Sequence, residues 1–84
     1  MGFIFIYITN PTRNEARKVA KHLLSKKLIA CANIFPIDSL YQCRGKIAEE
    51  KEFVLIAKTK KEYFERVKSE VEKIHPYDIP CIVK

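Results

Sequence analysis

One stretch, Ala30 to Thr59, limits what this chain can fold into more than any other, because it reads as a single long β-ribbon. Its first arm runs from Ala30 to Cys43, Arg44-Gly45-Lys46 is the expected turn, and the return arm covers Ile47 to Thr59. β-Branched and aromatic runs meeting at a glycine-centred break are the signature of a hairpin. Pro36 lacks a backbone N–H, so the first arm should lie at a sheet edge or bulge there. At about 3.3 Å per residue each arm spans about 40 Å if straight, longer than a sheet built from the remaining strands. Backbone that outruns its own sheet must be blunted or paired elsewhere. Pairing with another subunit is the expectation here.

The flanking segments supply the rest of one small domain, residues 1–84. Phe3 to Thr9 is a nearly continuous apolar run, which suits a central strand buried on at least part of both faces. Asn10-Pro11 ends it. Thr12 and Glu15 have capping-box spacing, so a helix starts there. Ala16, Val19, Ala20, Leu23 and Leu24 then form one apolar stripe, opposite Arg13, Arg17, Lys18 and Lys21. That helix should end near Ser25 to Lys27, where cations favour its dipole. After the ribbon, Thr59 and Glu62 repeat the capping spacing, and Phe64, Val67, Val71 and Ile74 make a second stripe. Glu62 with Arg66, and Lys68 with Glu72, are expected surface pairs of small value. Pro76 disfavours helix in the residue before it, so the second helix stops by His75. Cys81-Ile82-Val83 begins a last strand. The order β-α-β-β-α-β specifies an α+β, ferredoxin-like sandwich: one antiparallel sheet with both helices on one face and a long β2–β3 ribbon.

Composition narrows function mainly by exclusion. With 48% apolar and 31% charged residues the chain is globular. Its net charge of +6 keeps anionic partners in view, but Lys and Glu are largely interspersed, as on a solvated surface. Three cysteines without a close pair argue against a disulfide framework and suit a reducing, cytoplasmic setting. Phe3–Ile8 is too short to cross a membrane and has no signal-peptide flanks. The cysteine spacings fit neither an iron–sulfur cluster nor a zinc ribbon. With only Gly2 and Gly45, there is no phosphate-cradling glycine loop. No catalytic triad can be assigned from the sequence alone. RNA modules on this topology carry aromatics on the two central strands, whereas the third strand here supplies Phe53-Val54-Leu55-Ile56. Nucleic-acid binding is therefore not expected, and RNA binding stays as the alternative.

The residues with chemistry each have a plain structural reading as well. His22 reads as surface. His75 fits either a cation at a helix C-terminus or a metal-binding or hydrogen-bonding group in a cleft. Cys31 and Cys81 fit either small buried hydrophobes or soft-metal ligands. Cys43, near the ribbon tip, is expected to be exposed and oxidisable.

Taken together, Leu28-Ile29-Ala30-Cys31-Ala32-Asn33-Ile34, Tyr41 to Ile47, Leu55-Ile56-Ala57-Lys58-Thr59 and His75-Pro76-Tyr77-Asp78-Ile79-Pro80 resemble the CutA divalent-ion tolerance family along the whole chain. That resemblance implies a tight homotrimer with strands interlocked between subunits, similar in architecture to PII signalling proteins. It also implies a link to copper and other divalent ions, with no required cofactor. Carried over by position, a candidate inter-subunit site falls on Cys31, Tyr41, Lys58, His75 and Tyr77. Within it His75 and Cys31 are the expected copper ligands, since imidazole and thiolate suit copper. A purely structural or interaction trimer is the other reading. Gln42-Cys43 replaces the aromatic pair usual in that family. The chain also stops at Lys84, where relatives continue with more strand and a final helix; a truncated or partial sequence, or a trimer built without those elements, would account for this.

Overall fold

In the computed structural model, which describes residues 2–75 and the backbone of 82 and 83, the expected alternation is present. It runs β1 (Phe3–Asn10), α1 (Arg13–Ser25), β2 (Cys31–Cys43), β3 (Lys46–Lys60), α2 (Phe64–Ile74) and a short β4 (Ile82–Val83). The sheet order is β2-β3-β1-β4 and each pairing is antiparallel. This is the ferredoxin-like α+β sandwich, with β3 and β1 at its centre.

Local chemistry sets the element ends. Thr12 is extended and its hydroxyl accepts the Glu15 N–H at 3.1 Å, so the first capping spacing forms a real cap. The α1 C-terminus closes with Leu28 N–H bonded to Leu23 O and Lys27 N–H to Leu24 O, both at 3.0 Å. These are the two bonds of a Schellman motif. At the ribbon tip Arg44 (φ 53°) and Gly45 (φ 76°) are both left-handed, as a two-residue type I′ turn requires. Pro36 sits on the edge strand β2 in unbroken register opposite Phe53, where a missing donor is tolerated.

The core lies between the helices and one face of the sheet. Ile6 and Ile8 of β1 and Leu55 and Ala57 of β3 meet Val19, Ala20 and Leu23 of α1 and Val67 and Val71 of α2. Because strand side chains alternate, the other face receives Phe3, Phe5 and Tyr7 from β1, Ile56 and Lys58 from β3, and Cys31 and Phe35 from β2. Among the described residues, no helix covers that face. The expected burial of β1 on at least part of both faces is present in that partial form: on this second face Thr9 is buried, whereas Phe3 and Phe5 remain 63% and 64% exposed.

Other expectations also change. Leu24 is exposed, because the stripe named for α1 is wider than the face the sheet covers. Thr59 does not cap a helix. It is still within β3, opposite Ile4, and its buried hydroxyl donates to Leu28 O at 2.5 Å. A 3-10 turn at Lys61–Tyr63 leads into α2 instead, without a side-chain cap. Neither Glu62–Arg66 nor Lys68–Glu72 is among the ion pairs of the described residues; Arg66 lies over the Tyr63 ring at 5.5 Å.

Candidate functional site

Cys31 and Lys58 are brought together by strand register. They are direct partners across β2 and β3, and Lys58 is opposite Phe5 on β1. All three lie on the uncovered face. Lys58 Nζ sits 5.4 Å from the centre of the Phe3 ring. Cys31 is exposed and free, not the buried hydrophobe that was one reading of its type. A solvent-facing thiol is chemically available to a soft metal or an oxidant.

His75 occupies a different place. It ends α2, turns extended, and buries its ring, leaving 8% exposed. Its Nε2 lies 2.7 Å from the Thr9 carbonyl oxygen, so this nitrogen donates. Beside it Asn10 is fully buried and gives its side-chain N–H groups to Ile8 O and Phe53 O. The Asn10 Oδ1 has no partner among the described residues. Thr9 is opposite Val54, four residues along β3 from Lys58. The anchor points of His75 and Cys31 are thus separated by about 13 Å along the strands and, with β3 between them, by two strand spacings of about 4.8 Å across the sheet.

Tyr41 lies further still. It is ten residues beyond Cys31 on the same strand, about 33 Å at strand spacing. Its hydroxyl donates to Glu50 across the ribbon. That carboxylate raises the Tyr41 pKa, first by accepting the phenolic proton and further by its charge. Tyr77 and Cys81 are outside the described residues. A single chain therefore joins Cys31 with Lys58 and leaves His75 and Tyr41 elsewhere. Among the described residues no group of three or more His, Cys, Asp or Glu side chains could hold a metal ion.

One cluster lay beyond sequence reasoning. His22 is not a plain surface residue: its Nε2 lies 2.8 Å from Glu70 Oε1, while Lys73 reaches Glu70 Oε2 at 3.0 Å. Lys26 stands 3.9 Å away. These contacts clasp α1 to α2 and hold the Glu70 carboxyl down to about 2, the His22 bond being the largest cause and Lys73 the next. The partners are 48 residues apart in sequence, and no local pattern marks the pair.

The uncovered face has rings on β1 and on the edge strand β2, but β3 contributes Val54, Ile56 and Lys58 there. The aromatic third strand of RNA-binding modules is absent, as the sequence indicated. Among the described residues, no helix is long and apolar enough to cross a membrane.

Comparison with known proteins connects these features to a family. The model of the CutA1 divalent ion tolerance protein family matches residues 4–84. The divalent-cation tolerance protein CutA of Archaeoglobus fulgidus is 53% identical over 78 residues, covering 93% of this chain and 76% of that protein. The protein of the same name from Pyrococcus horikoshii is 42% identical over 81 residues, covering 96% and 79%. Among solved structures, the periplasmic divalent cation tolerance protein CutA from Archaeoglobus fulgidus superposes with a TM-score of 0.93 at 50% identity. It covers 98% of this chain and 80% of that one.

Proposed function

The chain belongs to the CutA1 divalent ion tolerance family, and from that premise we propose that it is a non-enzymatic, cytoplasmic homotrimer of PII-like architecture that binds copper or another divalent cation where subunits meet. Cys31 and His75 are the proposed ligands, with Tyr41, Lys58 and Tyr77 lining the cleft. One observation carries this reading. The outer ribbon, residues 37–43 against 46–52, has no neighbour but its own other arm among the described residues, because β1 pairs with β3 only over Phe53–Lys60. Backbone left open on both edges calls for another chain. A second copy would also be the means of bringing a Tyr41 about 33 Å away to a Cys31–Lys58 pair. The rings of Phe3, Phe5, Tyr7 and Phe35 give such a copy an apolar face to cover.

Two ligands per chain are too few for a closed metal site, so copper binding should require assembly. It should also weaken in acid as protons compete for imidazole and thiolate. Ligation through His75 Nε2 has to open its bond to Thr9 O. The absence of a ready ligand cluster among the described residues favours a second reading, a trimer whose role is structural or interactive. Native mass spectrometry of the protein as purified reports subunit count and bound metal together. A trimer of about three times the 9.8 kDa chain is expected; a clean monomer sinks the assembly. Copper titration of His75→Ala, Cys31→Ser and Cys43→Ser, each first checked for trimer, tests the ligands. Loss of binding in Cys43→Ser alone would assign the signal to the exposed tip thiol.

A further inference from the structure

A hollow of about 210 Å³ lies where the α1–β2 turn meets the end of β3, lined by Phe3, Lys27, Leu28, Lys60 and Tyr63 among others. Its floor is apolar, since Leu28 and Ile29 are buried. Its rim is basic. Lys27 and Lys60 both line it, and Lys60 Nζ lies 5.9 Å from the centre of the Tyr63 ring. Among the described residues, no carboxylate lines the hollow. Among the described residues, none comes within ion-pair distance of Lys27, Lys58, Lys60 or Arg66.

Lys27 is the residue that makes this more than a solvated surface. It occupies the position after the helix where the chain turns left-handed, with φ 57°. Glycine is the usual residue there, because a side chain is disfavoured in that conformation. Lysine holds the position here, and it is among the residues that line the hollow. Backbone held in a disfavoured region points to a use for the side chain it presents. The neighbouring amides are already taken: Ala30 N–H bonds Lys58 O at 2.8 Å and Lys61 N–H bonds Gly2 O at 3.0 Å. The cationic side chains that line the hollow, Lys27 and Lys60, are then its main groups for holding a ligand. The volume is below that of sites for drug-sized molecules, about 300 Å³ and upward.

We propose that this hollow is a site for a compact phosphate-bearing anion, held by Lys27 and Lys60 with Tyr63 as its wall. It is a site of opposite charge preference to the metal site, and it does not depend on His75 or Cys31. Ammonium-to-phosphate bonds are charge-assisted and suit a point-like oxyanion.

The test is a titration of the full chain with inorganic phosphate and, separately, a simple phosphomonoester, against chloride at matched ionic strength, followed by amide chemical shifts. Saturable shifts centred on Lys27, Leu28, Ala30 and Lys60 are expected, and the tighter of the two probes identifies a free or an esterified source. Lys27→Gly should lose about tenfold in affinity, on the order of one charge-assisted contact. Its melting temperature should rise, because glycine accepts the left-handed turn. Opposed movement of affinity and stability cannot come from partial unfolding. Lys60→Gln, which leaves the turn untouched, should weaken binding similarly and decides the matter if Lys27→Gly does not fold. Shifts equal to those in chloride would overturn the site. So would shifts spread along Arg13, Arg17, Lys18 and Lys21, a response to long polyanions alone, or unchanged affinity in the variants.

Discussion

The two halves of the ribbon share one hydrogen-bond ladder and almost nothing else. In the inner half, β2 from Cys31 to Pro36 lies against β3, which is itself flanked by β1. One face there is under the helices, and Leu55 and Ala57 are fully buried. In the outer half the same two strands continue as a bare pair, with Leu40 63% and Ile47 72% exposed. A two-stranded hairpin is marginal in water by itself. The contrast teaches that strand pairing is set by register, whereas strand stability is set by what lies above and below. The inner half is stabilised within the chain; the outer half has no such support among the described residues.

The largest effect that would break this contrast is in the core. Leu55→Ala should cost about 2–5 kcal/mol in chemical denaturation, because it leaves a cavity beneath the helices. Ile47→Ala, on the same strand, should stay within about 0.5 kcal/mol in the isolated chain. A comparable loss at Ile47 in a verified monomer would show that the outer ribbon is stabilised from within the chain. Next in size is the tip. A Cβ on Gly45 meets nothing within 4 Å, so Gly45→Ala isolates the cost of its left-handed backbone, about 1–2 kcal/mol. Hydrogen exchange should speed up at amides near the turn and stay unchanged in the inner half.

The smallest effect concerns the helix layer, which covers only the inner half. Glu70 titrates at about 2 in the folded chain, below the ordinary 4.5. A depressed carboxyl stabilises the fold in full above its unfolded value and loses that contribution as pH falls from about 4.5 toward about 2. Glu70→Gln should therefore flatten the stability profile in that acid window and lower stability slightly at neutral pH. An unchanged acid slope in the variant would remove the clasp from the account of the inner half.

What the sequence made legible was local. The Thr12–Glu15 cap, the turn centred on Gly45 and the α2 stop at His75 each rest on residues a few positions apart, and each is in the structure. The Thr59–Glu62 spacing looks identical on paper. It fails because Thr59 answers to Leu28, 31 residues away, and to its place in β3. His75 stayed ambiguous and His22 was read as surface for the same reason, since their partners lie 66 and 48 residues distant. Type and spacing named Cys31 but could not say which face of β2 it takes; that follows only from its pairing with Lys58. The sequence names the proposed site residues one by one. Their separation across one chain belongs to the register.

The two-residue turn at Arg44-Gly45 also has a consequence in time. It makes the ribbon the one pairing in the sheet that closes locally; a hairpin of this kind forms in about 1–10 μs. Strand β1 must instead find β3 across loops of 43 residues or more, and the entropy of that closure is met before any contact rewards it. A slip of one residue at the tip would carry along both arms and turn Leu55 and Ala57 away from the helices before β1 arrives. The exposed end of the ribbon, which adds little to the finished core, thus chooses the alignment that β1 later inherits.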